Sequence, residues 1–112
     1  MTDASVVSGE LDLCAAADVA PGTALKVEAG GLTLAVFNLD GEFYVTDDAC
    51  THGPGSLSEG EIFDDVIECN FHQGQFCIRT GEPVVAPCTE PVKTYPVTIR
   101  DGRVVIEVAE RA

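Results

Sequence analysis

Short apolar runs separated by turn residues set the pattern of this chain. Residues 24–29 and 32–38 flank Gly30-Gly31, residues 42–46 follow Asp40-Gly41, and residues 95–100 and 103–108 flank Asp101-Gly102. Glycine paired with glycine or aspartate between two extended runs is the composition of a tight hairpin turn, whose central positions need positive φ. In the last run Val104, Ile106 and Val108 share one face by period-two alternation, and Glu107 falls on the other. Residues 62–69 and 75–79 read as two further strands. Only residues 15–19 read as helical, and briefly, since Pro21-Gly22 stops them. Repeats and low-complexity stretches are absent. The pattern predicts an all-β, antiparallel sandwich or small barrel.

At 112 residues the chain is expected to form one domain, 1–112, that buries about two-thirds of its unfolded surface. Six Lys and Arg against 19 Asp and Glu give a formal charge of −13. Nucleic acid and anionic membranes are themselves negative, so neither is an expected partner. The charge instead favours a protein with a basic docking patch, or serves only to keep the surface solvated. Asp47, Asp48, Asp64 and Asp65 are the charges expected at such a patch, the first pair lying just before the histidine- and cysteine-bearing stretch described next. The N-terminal residues carry no basic region with an apolar stretch behind it, and no run approaches the roughly 18 apolar residues of a membrane span. Cytoplasmic residence is the expectation, and there disulfides are rare.

The chemistry concentrates in two short stretches, Cys50-Thr51-His52 and Cys69-Asn70-Phe71-His72, with 16 residues between His52 and Cys69. They contain both histidines of the chain. Each offers one thiolate and one imidazole from a single tight loop, so together they supply two sulfurs and two nitrogens. A [2Fe–2S] centre with unlike irons uses that set, one iron on two cysteines and the other on two histidines. A structural zinc site also takes two cysteines and two histidines. Spacing argues against zinc, because zinc fingers pair like residues, cysteine with cysteine and then histidine with histidine on a helix. The plainest alternative is a set of unrelated core and surface residues. Glycines follow both stretches, at Gly53, Gly55 and Gly74, where they let the backbone turn sharply and approach a cluster without a Cβ in the way. The remaining cysteines, Cys14, Cys77 and Cys88, are expected as free thiols, Cys77 as a small buried hydrophobe between Phe76 and Ile78.

The order Cys50-Thr51-His52-Gly53, Leu57-Ser58, Gly60 and then Glu68-Cys69, His72, Gly74, Phe76 resembles the Rieske-type ferredoxins of bacterial aromatic-ring-hydroxylating dioxygenase systems. The likeness runs on through residues 11–14, 34–37, 40–44 and 93–97. It implies a Rieske-type β-sandwich with a small cluster-binding subdomain at approximately 48–90. It implies one [2Fe–2S] cluster, with Cys50 and Cys69 on the inner iron and His52 and His72 on the outer iron, which takes the electron. No residue is assigned a catalytic role. Such a chain is a soluble one-electron carrier from an NAD(P)H-dependent flavoprotein ferredoxin reductase to a Rieske terminal oxygenase, and alternation between two partners favours a monomer. A further loop, 83–91, contains Pro83, Pro87 and Pro91 and by resemblance packs over the cluster.

The resemblance also bears on potential. High-potential Rieske proteins of respiratory complexes carry an extra cysteine in each loop and hydroxyl donors to the sulfurs. Gly55, Phe71, Gly74 and Phe76 stand at those positions here and can supply neither. The reduced cluster, one charge more negative, is then less stabilised, and the potential is expected near the low end of the Rieske range, roughly −150 mV. A terminal oxygenase would need a second, mononuclear iron site, and no histidine follows His72 to build one. Two other roles fit parts of the pattern: the small Rieske-like subunit of an assimilatory nitrite reductase, and a zinc module mediating protein contacts.

Overall fold

A computed structural model describes residues 8–49, 55–69, 74–85 and 90–109. Among them eleven strands pair antiparallel throughout. In chain order these are β1 (Ser8–Ala15), β2 (Thr23–Ala29), β3 (Leu32–Leu39), β4 (Glu42–Asp47), β5 (Glu61–Phe63), β6 (Val66–Glu68), β7 (Gln75–Cys77), β8 (Pro83–Val85), β9 (Thr94–Tyr95), β10 (Val97–Arg100) and β11 (Arg103–Ala109). They form three sheets, ordered β9-β4-β3-β2, β10-β11-β1 and β5-β6-β7-β8. The only other regular elements described are single 3₁₀ turns at Ala16–Asp18 and Leu57–Glu59. No helix among the described residues is long and apolar enough to cross a membrane.

The three predicted hairpins form. Gly30 and Gly31 sit at φ 58° and 81°, and the Asp40-Gly41 and Asp101-Gly102 pairs are left-handed too. Aspartate tolerates that region because its short side chain hydrogen-bonds locally. The buried Asn38 side chain supports the second turn, accepting from the Gly41 N–H and donating to Val19 O, each at 2.8 Å.

Strand β3 is buried from Leu34 to Leu39, and alternation divides it between two cores. Leu34 and Val36 join Leu13, Val45, Tyr95, Val104 and Ile106 against the β10-β11-β1 sheet. Ala35, Phe37 and Leu39 join Ile67, Phe76 and Ile78 against the β5-β6-β7-β8 sheet. Each fully buried Leu, Ile or Phe contributes about 1.5–3 kcal/mol of hydrophobic stabilisation. Val104, Ile106 and Val108 face one core as their alternation predicts. Val105 is buried as well, beside a bulge where the pairing slips between Val104 and Val105.

Four predicted segments differ. Residues 62–69 form a hairpin, not one strand, because Asp64 takes φ 57° and the chain reverses at Asp64-Asp65, setting Ile62 opposite Ile67. The strand predicted over 75–79 ends at Cys77, where a turn closes with the Gly81 N–H on Cys77 O. Residues 95–100 break at Pro96. Proline has no N–H to continue a ladder, so Tyr95 stays with β4 while Val97 passes to β11. Pro83 opens an edge strand, where a missing donor is tolerated. The expected 83–91 loop is thereby shorter at its start, and its centre, 86–89 with Pro87 and Cys88, lies outside the described residues.

Candidate metal centre

Of the four predicted ligands, Cys69 is described, while Cys50, His52 and His72 lie outside the described residues. The feet of both loops are defined. Strand β4 leads into the first, and Ala49 pairs with Ser56 in an isolated antiparallel bridge across its ends. The Leu57 N–H donates to Asp48 O at 2.8 Å. The Asp48 carboxylate accepts from Ser56 Oγ at 2.6 Å and from the Ser58 N–H at 2.8 Å. At the second loop Glu68 pairs with Gln75, and the Cys69 N–H donates to Gly74 O at 2.7 Å. Next to the 86–89 segment, the Val92 N–H bonds Gly81 O at 2.9 Å.

One apolar cluster underlies all three. Leu57 follows the first loop, Cys69 and Phe76 bracket the second, Val92 follows the third segment, and they pack together with Phe37 and Ile67. Cys69 itself is buried. A thiolate in such surroundings is stabilised by a bound metal, which also keeps it deprotonated. Two thiolates and two imidazoles on loops rooted in one rigid floor fit a cluster with unlike irons. Among the described residues no three His, Cys, Asp or Glu side chains gather in a metal-binding arrangement, so the loop set has no competitor there.

Gly60 couples the two loops. A Cβ at this position would lie 1.9 Å from Glu68 O, so only glycine lets the Leu57–Glu59 turn press on β6, the strand that leads into Cys69. Gly55, Gly74 and Phe76 are buried and carry no hydroxyl; Phe71 lies outside the described residues.

The expectation that Asp47, Asp48, Asp64 and Asp65 present charge to a partner needs correction. Asp48 is 3% exposed and its carboxylate is spent on Ser56 and Ser58, because an acidic side chain inside a core must be hydrogen-bonded. Asp47 accepts from the Tyr95 hydroxyl at 2.6 Å. Burial, and then that bond, push the Tyr95 phenol well above its usual range. Asp65 pairs with Arg79 at 3.5 Å. Arg79 also bonds Glu42 at 2.9 Å and lies over the Tyr44 ring, and its hydrogen bond holds the Glu42 carboxyl below the usual range. Asp64 alone of the four is exposed. Cys14 is a buried free thiol, raised in pKa chiefly by that burial. Cys77 is free but half-buried, less enclosed than expected.

Asp48, read from sequence as a surface charge, and Gly60, read as one glycine of the motif, have roles that the motif alone missed. The signal for Asp48 was present as two serines eight and ten residues on, but which carboxylate turns inward is not a local property.

Residues 9–96 match the family model described as the Rieske [2Fe–2S] domain. The chain is 46% identical over 100 residues to the biphenyl dioxygenase ferredoxin subunit of Pseudomonas sp. (strain KKS102), covering 88% of this chain and 92% of that one. Among solved structures it is similar to the Sphingomonas yanoikuyae B1 ferredoxin, with a TM-score of 0.86 and 46% identity over 89% of this chain and 99% of the other. It is also similar to a chain in the complex of reduced oxygenase and oxidized ferredoxin in carbazole 1,9a-dioxygenase, with a TM-score of 0.84 and 43% identity, covering 92% and 96%.

Proposed function

The chain belongs to the Rieske [2Fe–2S] ferredoxins, the electron-carrying subunits of aromatic dioxygenase systems, and from that premise we propose that it takes single electrons from an NAD(P)H-dependent flavoprotein reductase and delivers them to a Rieske terminal oxygenase. Cys50 and Cys69 hold the inner iron and His52 and His72 the outer one. The observation that carries this is the root of the second loop, where buried Cys69 is tied through its N–H to Gly74 O on the same apolar floor as Leu57 of the first loop. A bound Rieske cluster supplies one-electron chemistry at a potential set by its ligands, hydrogen bonds and burial.

The protein's own contribution is placement. Loops clamped at both ends hold their ligands in one geometry, which keeps the rearrangement on each electron transfer small. Without hydroxyls at Gly55, Gly74 and Phe76, the potential stays low enough for a flavoprotein donor. The segment 48–90 acts as a cluster-binding subdomain within one domain. The chain works as a cytoplasmic monomer, and its negative charge steers it to basic patches on partners.

Low-temperature EPR after dithionite reduction tests the ligand set, with iron and acid-labile sulfide assayed on the same sample. The expected result is a rhombic signal of low average g with matching iron and sulfide. Stoichiometric zinc from iron-replete cells overturns it. Stopped-flow mixing with a flavoprotein reductase and NAD(P)H, and then with an oxidised Rieske oxygenase, tests the carrier role. Failure of either transfer with a fully loaded protein removes it.

A further inference from the structure

Asp48 is an unusual carboxylate for a protein of charge −13, most of whose acidic side chains face solvent. It is 3% exposed, and every polar group on it is engaged. Its N–H donates to Thr33 O at 3.0 Å and its carbonyl accepts from the Leu57 N–H at 2.8 Å. Its two carboxylate oxygens accept separately, Oδ2 from Ser56 Oγ and Oδ1 from the Ser58 N–H. The nearest cation, Lys26 Nζ, is 3.9 Å from Oδ2 on a side chain 44% exposed, so water screens it and it offsets only part of the buried charge.

The hydrogen-bond donors to its carbonyl and carboxylate, Leu57, Ser56 and Ser58, all lie beyond the first ligand loop, while Asp48 lies before it. One residue thereby clamps both ends of the segment bearing Cys50 and His52. Two peptide units separate Asp48 from Cys50 and span about 7.6 Å at most. A buried charge two residues along the chain from a proposed ligand, in a poorly polarisable interior, would interact with a change of charge at the cluster.

We infer that Asp48 is a positioning residue with two separable effects: its hydrogen bonds brace the first ligand loop, and its charge holds the reduction potential down. The second effect adds to the absence of hydroxyl donors at Gly55 and Gly74, since a buried anion opposes the electron that makes the cluster more negative. The inference rests on Cys50 and His52 being ligands, as proposed above.

Two substitutions separate the effects. Asp48→Asn keeps the shape and an acceptor for the Ser58 N–H while removing the charge. Ser56→Ala keeps the charge and cuts one brace. Each is measured in the iron-loaded protein by square-wave voltammetry and by the rate at which a chelator removes iron, with far-UV circular dichroism confirming the fold. Asp48→Asn is expected to raise the potential, so that the reduced fraction at a fixed applied potential increases several-fold. Ser56→Ala is expected to leave the potential in place and speed iron release several-fold. An unmoved potential in Asp48→Asn overturns the charge effect, and an unchanged release rate in Ser56→Ala overturns the brace. Cys50→Ser, prepared in parallel, keeps the two readings apart. Loss of its cluster upholds the ligand assignment whatever Asp48 does, and a fully loaded, spectroscopically unaltered Cys50→Ser removes the assignment and the inference together.

Discussion

The two cores on either face of β3 are built differently. On one side β1 and β11 are eight- and seven-residue strands paired along their length, closed by a hairpin to β10. On the other, β5 to β8 have three residues each. Long strands with alternating apolar residues hold themselves together through ladder bonds and burial. Strands of three residues do not, since so few contacts scarcely offset the entropy of ordering them. The short-strand half relies on loop feet, a glycine contact, a buried carboxylate and, when bound, the cluster, because metal binding is coupled to folding. One half is a platform, and the other is a holder built on tertiary contacts.

The comparison predicts unequal responses to mutation. Ile106→Ala, in the platform core, should cost about 2–5 kcal/mol and lower the denaturant midpoint of the whole fold, read by circular dichroism. Gly60→Ala forces a Cβ into Glu68 O and should cost about 1–3 kcal/mol. Its damage should fall on the holder: iron content drops, while amide exchange of β1 and β11 stays slow. Equal loss of protection in both halves would refute the division.

Tyr95→Phe probes the seam, because Tyr95 belongs to the platform core and its hydroxyl reaches Asp47 at the entrance to the first loop. Removing a hydrogen bond to a carboxylate should cost about 1–2 kcal/mol, visible in chemical denaturation. The smallest effect is the Arg79 contact. Glu42 has its folded pKa below the ordinary 4.5, so this carboxylate contributes stability above about pH 4.5 that is lost as the pH falls through the lowered folded value. Arg79→Gln should flatten that acid dependence without changing stability at neutral pH by more than an exposed ion pair does. An unchanged acid limb in the variant would remove Glu42 from the account.

How much was legible follows the same division. The hairpins at Gly30-Gly31, Asp40-Gly41 and Asp101-Gly102 and the alternation of Val104, Ile106 and Val108 are local signals, and all lie outside the short-strand half. The holder was read less well. Residues 62–69 looked like one strand because Asp64-Asp65 lacks the glycine that usually marks a turn. Pro83 looked like loop because its place on an edge depends on strands not adjacent in sequence. The motif proposes four ligands, and of these Cys69 is the one whose burial and backbone bond are described.

The sequence by itself determined the hairpins, the all-β antiparallel class and the family, and offered a candidate donor set, because side-chain chemistry, positive-φ turns and period-two alternation are written within a few residues. Tertiary structure alone decided that β3 is shared between two cores, that the chain changes sheets at Pro96, and that Asp48 turns inward while Asp64 faces water. Those outcomes depend on which distant surfaces meet, and burial and hydrogen-bond partners exist only once they do.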